Sequence, residues 1–89
     1  MSGRIYLPVL HSFENNNVFT GSFGPFRYKI TPNVVMRNAK EVNNEESSMK
    51  AEYWHGPLCY EYSDIEGEKT FVMTEPGLAQ MRDWLDAQI

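Results

Sequence analysis

The sequence predicts an α+β domain over residues 1–89: a mainly antiparallel β-sheet of four to six strands with one C-terminal α-helix packed on one face. Three observations carry this expectation. Apolar and polar residues alternate on both sides of two Gly-Pro dipeptides, Gly24–Pro25 and Gly56–Pro57. A three-to-four-residue apolar period runs through the C-terminal stretch. And 89 residues, 42% hydrophobic and 22% charged, suffice for one modest core.

Taken in chain order, Ile5 to Leu10 reads as an edge strand, because Pro8 has no N–H to give to a ladder, and Asn15–Asn17 reads as the turn that follows. Phe19, Gly21 and Phe23 then alternate with Thr20 and Ser22. After Gly24–Pro25, Phe26, Tyr28 and Ile30 alternate with Arg27, Lys29 and Thr31, which makes a first hairpin. Asn38 to Ser48 is polar and rich in turn formers, as expected of a surface loop or a short frayed helix. Met49, Ala51, Tyr53 and His55 alternate with Lys50, Glu52 and Trp54. Across Gly56–Pro57, Leu58, Tyr60 and Tyr62 alternate with Cys59, Glu61 and Ser63, giving a second hairpin. The two Gly-Pro segments echo each other, and two copies indicate recurrent turn chemistry rather than a repeat array. Asp64 to Lys69, with Gly67, reads as an exposed turn, and Thr70 to Met73 as a short strand.

The last element carries the fullest set of signals. Thr74 suits an N-cap, and Glu75 and Pro76 suit a first helical turn. Leu78, Met81, Leu85 and Gln88/Ile89 follow on one side, with Trp84 beside them. Gln80, Arg82, Asp83 and Asp86 fall on the other, where Arg82 and Asp86 can pair at i,i+4. A helix of ~14 residues is too short to stand alone in water, so its apolar stripe must be covered, and a sheet is the cover on offer.

No apolar run approaches the ~20 residues of a membrane-spanning helix, and Met1–Ser2–Gly3–Arg4 leads into a stretch broken by Pro8 rather than a leucine-rich signal. Cys59, the only cysteine, can form no internal disulfide, in keeping with a reducing compartment. Cytoplasmic residence is expected. The net charge of −4 is unevenly spread. Up to residue 40, five cations (Arg4, Arg27, Lys29, Arg37, Lys40) face only Glu14, a balance of +4; from Glu41 onward three cations face eleven acids, a balance of −8. Chance clustering on a solvated surface is one reading of this division, and an acidic side that meets a basic partner is the other.

The titratable residues build no recognisable reaction centre. His11, His55 and Cys59 are the only nitrogen and sulfur ligands of their kinds, too few and too scattered for a structural zinc site, so no metal and no cofactor are expected. A Cys59–His55 nucleophile and base pair can be drawn across the Gly56–Pro57 turn, yet nothing beside it marks a depressed thiol pKa or an oxyanion pocket. Glu45/Glu46 and Glu66/Glu68 lie in polar stretches with no apolar surroundings to shift them. Phosphate-loop, dinucleotide, nucleophile-elbow and zinc-protease motifs are missing, and the expectation is a protein that is not an enzyme.

Aromatic residues are more informative. Tyr53, Trp54, His55, Tyr60 and Tyr62 crowd one hairpin, and strand alternation prevents them from entering one core together. If Tyr53, Tyr60 and Tyr62 face the helix, Trp54 projects the other way with Glu52 and Glu61. There it is either an exposed anchor or covered by the N-terminal strand or the 38–48 loop. Arg27 and Lys29 lie on the strand face opposite Phe26, Tyr28 and Ile30, so cations and aromatics are separated. With an acidic chain, this argues against direct nucleic-acid binding.

The stretches EESSMKAEYWHGPLCYEYS and EGEKTFVMTEPGLAQMRDWL resemble small uncharacterised proteins encoded by prophages and integrative elements of gut Firmicutes. The resemblance covers about half of the chain and implies an accessory gene of a mobile element, without transferring any functional residue. Two functions are expected from these readings. The first is a protein-binding module, of the anti-CRISPR or antirestriction type, using Trp54, Glu52, Glu61, Glu45, Glu46, Asp64, Glu66 and Glu68, with Glu41 beside them. Homodimerisation through the bare sheet face fits the same picture. The second is a binder of a nucleotide-like ligand that stacks on Trp54, Tyr60 or Tyr62 and holds phosphate with Arg27 or Arg37.

Overall fold

A computed structural model describes residues 5–56 and 65–88. The elements are helix α1 (Leu10–Glu14), strands β1 (Phe19–Phe23), β2 (Phe26–Asn33), β3 (Ser48–His55) and β4 (Gly67–Val72), and helix α2 (Glu75–Asp86). The four strands form an antiparallel meander in the order β1-β2-β3-β4, and α2 packs on one face, so the α+β expectation holds.

The first hairpin forms where the alternation places it. Gly24 takes φ +61, the left-handed value that a tight hairpin turn of the II′ kind requires at its first central position. Phe26, Tyr28 and Ile30 point into the core and Arg27 and Lys29 point away, as the pattern predicts. Met49 and Ala51 line the same core from β3, and Phe71 from β4. The strands expected over Leu58–Tyr62 lie outside the described residues. Among those described, β3 has β2 on one side and β4 on the other. Strand β4 begins at Gly67, inside the stretch that reads as a turn, because its pairing with β3 overrides the weak strand propensity of Gly67, Glu68 and Lys69.

One row of side chains across the sheet organises the core. Gly21 of β1 pairs with Tyr28, Tyr28 with Tyr53, and Tyr53 with Gly67 of β4. Each tyrosine lies outward over the glycine of its own edge: a Cβ on Gly21 would come within 2.5 Å of the Tyr28 hydroxyl, and one on Gly67 within 2.6 Å of the Tyr53 ring. The hydroxyls then reach opposite ends of the chain. Tyr28 donates to the Tyr6 carbonyl at 2.6 Å, and Tyr53 donates to Gln88 Oε1 at 3.1 Å. Burial raises the Tyr28 pKa.

The N-terminal segment is not the edge strand that Pro8 suggests. Residues 5–9 run without regular structure and lead into α1, placing Ile5, Leu7 and Phe13 in the core on the α2 side of the sheet. The alternation of buried Ile5 and Leu7 with exposed Tyr6 is that of an extended segment laid on a core, which a sequence pattern does not distinguish from a paired strand. The turn at Asn15–Asn17 is present, with Asn16 at φ 63.

Residues 34–47 form a loop rather than a frayed helix, with one isolated bridge between Met36 and Val42. Ser47 pins it: buried, its hydroxyl accepts the Val35 N–H at 2.8 Å and donates to the Asn43 carbonyl at 2.7 Å, while its own carbonyl accepts the Met73 N–H at 3.0 Å. Asn44 adds a junction, its amide donating to Glu14 Oε2 at 2.6 Å and to the Met73 carbonyl at 2.9 Å.

Helix α2 starts as predicted, with the Thr74 hydroxyl accepting the Gly77 N–H at 3.2 Å. Leu78, Met81 and Leu85 are buried against the sheet, and Trp84 packs edge-on to Tyr53 (ring centroids 5.4 Å apart) and against Phe71 (5.9 Å). The helix spans 12 residues, and Asp86 is buried rather than turned to solvent with Gln80 and Asp83. Its place one step past Leu85 puts it at the margin of the covered stripe.

Candidate functional site

The sheet face turned away from α2 carries the residues that the sequence marks for recognition. Reading across the register, Ser22 lies beside Arg27 and Arg27 beside Trp54; in the next row Thr20, Lys29, Glu52 and Glu68 follow one another. Lys50 Nζ stands 3.5 Å from Glu68 Oε2, an exposed pair worth only a few tenths of a kcal/mol to about 1 kcal/mol. The face is therefore a mixture of cations, acids and hydroxyls around Trp54 rather than an apolar layer.

Trp54 and Glu52 point away from α2, as alternation predicts, but neither is exposed: 3% of the Trp54 surface and 5% of the Glu52 surface are accessible. Of the two readings of Trp54, an exposed anchor or a covered side chain, this burial fits the covered one. Covering an indole this completely removes it from the set of side chains that a partner could bury for further gain.

The remaining acids do not converge on one spot. Glu45 and Glu46 are exposed in the loop just before β3 begins, whereas Glu66 stands beside His55 at its end, about 23 Å of strand away. Glu68 lies between them on β4, and Glu41 is exposed in the loop, where it accepts from the Asn38 amide at 2.8 Å. Glu61 and Asp64 lie outside the described residues, as do Tyr60, Tyr62 and Cys59.

His55 and Glu66 form a pairing that the sequence does not signal. One Glu66 oxygen accepts the His55 backbone N–H at 2.8 Å and the other lies 2.8 Å from its Nδ1. A carboxylate only accepts, so in the neutral ring Nδ1 carries the hydrogen. The imidazole also meets the Phe26 ring edge-on at 5.3 Å. Eleven residues separate the two partners, and only the β3–β4 register brings them together.

Of the residues of the nucleotide reading, Trp54, Arg27 and Arg37 are among those described. Arg27 sits beside Trp54 in the register, but its Nε donates to the Gly56 carbonyl at 2.7 Å, and the Gly56 N–H donates to the Pro25 carbonyl at 2.9 Å. Arg27 thereby ties the end of β3 to the first hairpin turn. Arg37 is exposed in the loop. An open depression of about 440 Å³ is lined by Glu14, Asn15, Asn16, Pro32, Asn33, Val34 and Met36, none of which belongs to that set.

Among the described residues no group of three or more His, Cys, Asp or Glu side chains could hold a metal ion, and no helix is long and apolar enough to cross a membrane. No protein family, curated protein or solved structure matches the chain.

Proposed function

We propose that this chain is a non-enzymatic protein-binding module, an accessory protein of a mobile element that works in the cytoplasm by occupying a basic surface of host defence machinery. The observation that carries this reading is the order of the sheet. Because the strands lie side by side in chain order, the cations of β2 stand toward the β1 edge and the acids of α2 stand over β3 and β4. β1 and β2 carry Arg27 and Lys29 and no acid, a balance of +2; β3 and β4 are each balanced, and α2, which packs on them, carries Glu75, Asp83 and Asp86 against Arg82, a balance of −2. Exposed Glu45, Glu46, Glu68, Glu75 and Asp83 all belong to the acidic part of the chain. A charge distribution of this kind orients a molecule toward a basic partner before contact and raises the association rate, with little demand on buried anchors.

The test is inhibition of a panel of restriction and CRISPR nucleases by the purified chain at low and high salt, about 50 mM and about 0.5 M, where the screening length shrinks several-fold. Inhibition at low salt that weakens by at least about tenfold at high salt, and that is lost on combining Glu45→Lys, Glu46→Lys and Glu68→Lys, is expected. Inhibition indifferent to both salt and charge reversal, or no inhibition across the panel, overturns the reading.

A further inference from the structure

The two edges of the sheet are built differently. β4 carries Glu68 and an inward-facing Lys69, whose Nζ lies 5.5 Å from the Phe71 ring centroid, a device that discourages another strand from pairing there. β1, the other edge, reads Phe19-Thr20-Gly21-Ser22-Phe23, with no charge, no proline and no bulge in its register with β2. Among the described residues, no backbone hydrogen bond reaches β1 from any element but β2. Flanking it are exposed apolar side chains: Val18 (54%), Phe23 (42%) and Tyr6 (68%), the last with its ring 5.8 Å from Phe19.

The sequence of β1 also reads nearly the same in both directions about Gly21. A two-fold axis normal to the sheet makes an interface from one patch meeting itself, so residues equally far from the axis must suit each other. Centred on Gly21, such an axis sets Phe19 against Phe23 of a second copy on the core face, Thr20 against Ser22 on the far face, and glycine against glycine between them. The ladder geometry agrees. Phe23 and Phe26 close the two-residue turn as a hydrogen-bonded pair, so Gly21 and Phe19 also direct their backbone groups to β2, and those of Thr20 and Ser22 point to the open edge. Thr20 and Ser22 are then the residues that exchange backbone bonds across the axis. Gly21 falls at the non-hydrogen-bonded position, where strands approach most closely and Tyr28 already occupies the space above it.

We infer that β1 is a self-association edge, and that two copies of this chain join β1 to β1 in antiparallel register about Gly21 to form a continuous eight-stranded sheet. This inference is independent of the proposed function, since β1 carries none of the acids on which that reading rests. A five-residue strand pair with its apolar neighbours buries about 1,000 Å², the low end of specific interfaces, so the dimer is a weak one with Kd between about 10 µM and about 1 mM.

Sedimentation analysis of the full chain from about 10 µM to about 1 mM tests this, with a rise from 10.3 kDa toward twice that mass expected. Combining Thr20→Glu with Ser22→Glu sets like charges opposite each other across the axis. Within one chain it sets them beside Lys29 and Arg27, so folding is spared while dimerisation weakens by at least about tenfold. Combining Thr20→Glu with Ser22→Lys pairs opposite charges across the axis instead, and restores the dimer. A wild-type chain that stays at 10.3 kDa throughout overturns the inference, as does a dimer indifferent to the paired glutamates or one that the second combination fails to restore.

Discussion

Gly77 offers a test in which helix propensity and packing pull in opposite directions. Replacing a helical glycine by alanine ordinarily stabilises by about 1 kcal/mol. Here the chain passes from β4 into α2 through Met73 and Thr74 alone, and a Cβ on Gly77 would run into the Val72 carbonyl oxygen, which already accepts the Thr74 N–H at 2.8 Å. That oxygen belongs to backbone, so no side chain can swing aside to make room. Relief requires the first turn of α2 to move. The move costs the Thr74 cap to the Gly77 N–H, about 1 kcal/mol, and the Val72–Thr74 hydrogen bond, about 1 kcal/mol. It also disturbs the packing of Leu78 and Met81, about 1–2 kcal/mol. Against the propensity gain, Gly77→Ala is expected to lose about 2–3 kcal/mol, a fall in Tm of roughly 10–20 °C for a domain of this size. Urea and thermal unfolding read it directly, with exposed Ala79→Gly as a comparison that loses about 1 kcal/mol through propensity alone. A Gly77→Ala chain as stable as the wild type, or more so, would refute the close approach on which this reasoning stands.

Tyr28→Phe removes the donor to the Tyr6 carbonyl and is expected to cost about 0.5–1.5 kcal/mol in urea unfolding, with faster amide exchange over residues 5–9. The same residue sets a pH dependence. Its folded pKa is raised by burial, so its contribution is complete below the unfolded value of about 10 and is lost as pH climbs through the folded one. Alkaline unfolding should therefore be shallower in Tyr28→Phe than in the wild type, and identical alkaline profiles would count against the burial. Trp54 can be isolated by Trp84→Phe; acrylamide should then quench its fluorescence weakly, and quenching typical of a solvated indole would contradict its 3% exposure.

What could be read from the residues divides along a physical line. α2 was legible because cap, first-turn acid, proline and apolar stripe all point the same way, and each acts within a few residues. The first hairpin was legible for a similar reason, since Gly24 fixes the turn and strict alternation fixes the faces. α1 was not: five residues with no side-chain cap fall short of any helical nucleus, and the segment is held by Phe13 in a core assembled from distant parts of the chain. Alternation correctly sent Trp54 and Glu52 to the face opposite α2, yet it says nothing of what lies above that face, and so it left the exposure of Trp54 open and missed the burial of Glu52. The contact between His55 and Glu66 depends on register between β3 and β4, which is set by the whole sheet and by no local pattern.

The meander has a consequence for how such a protein can change. With strands laid down consecutively, position among the strand codons translates into a lateral address: a β1 codon lands at one edge of the sheet, a β4 codon at the opposite one. Point substitutions can then rewrite the electric dipole of the molecule, in size or in sign, without disturbing which strand neighbours which. Long-range electrostatics can thus be retuned codon by codon while the hydrophobic interior stays as it was.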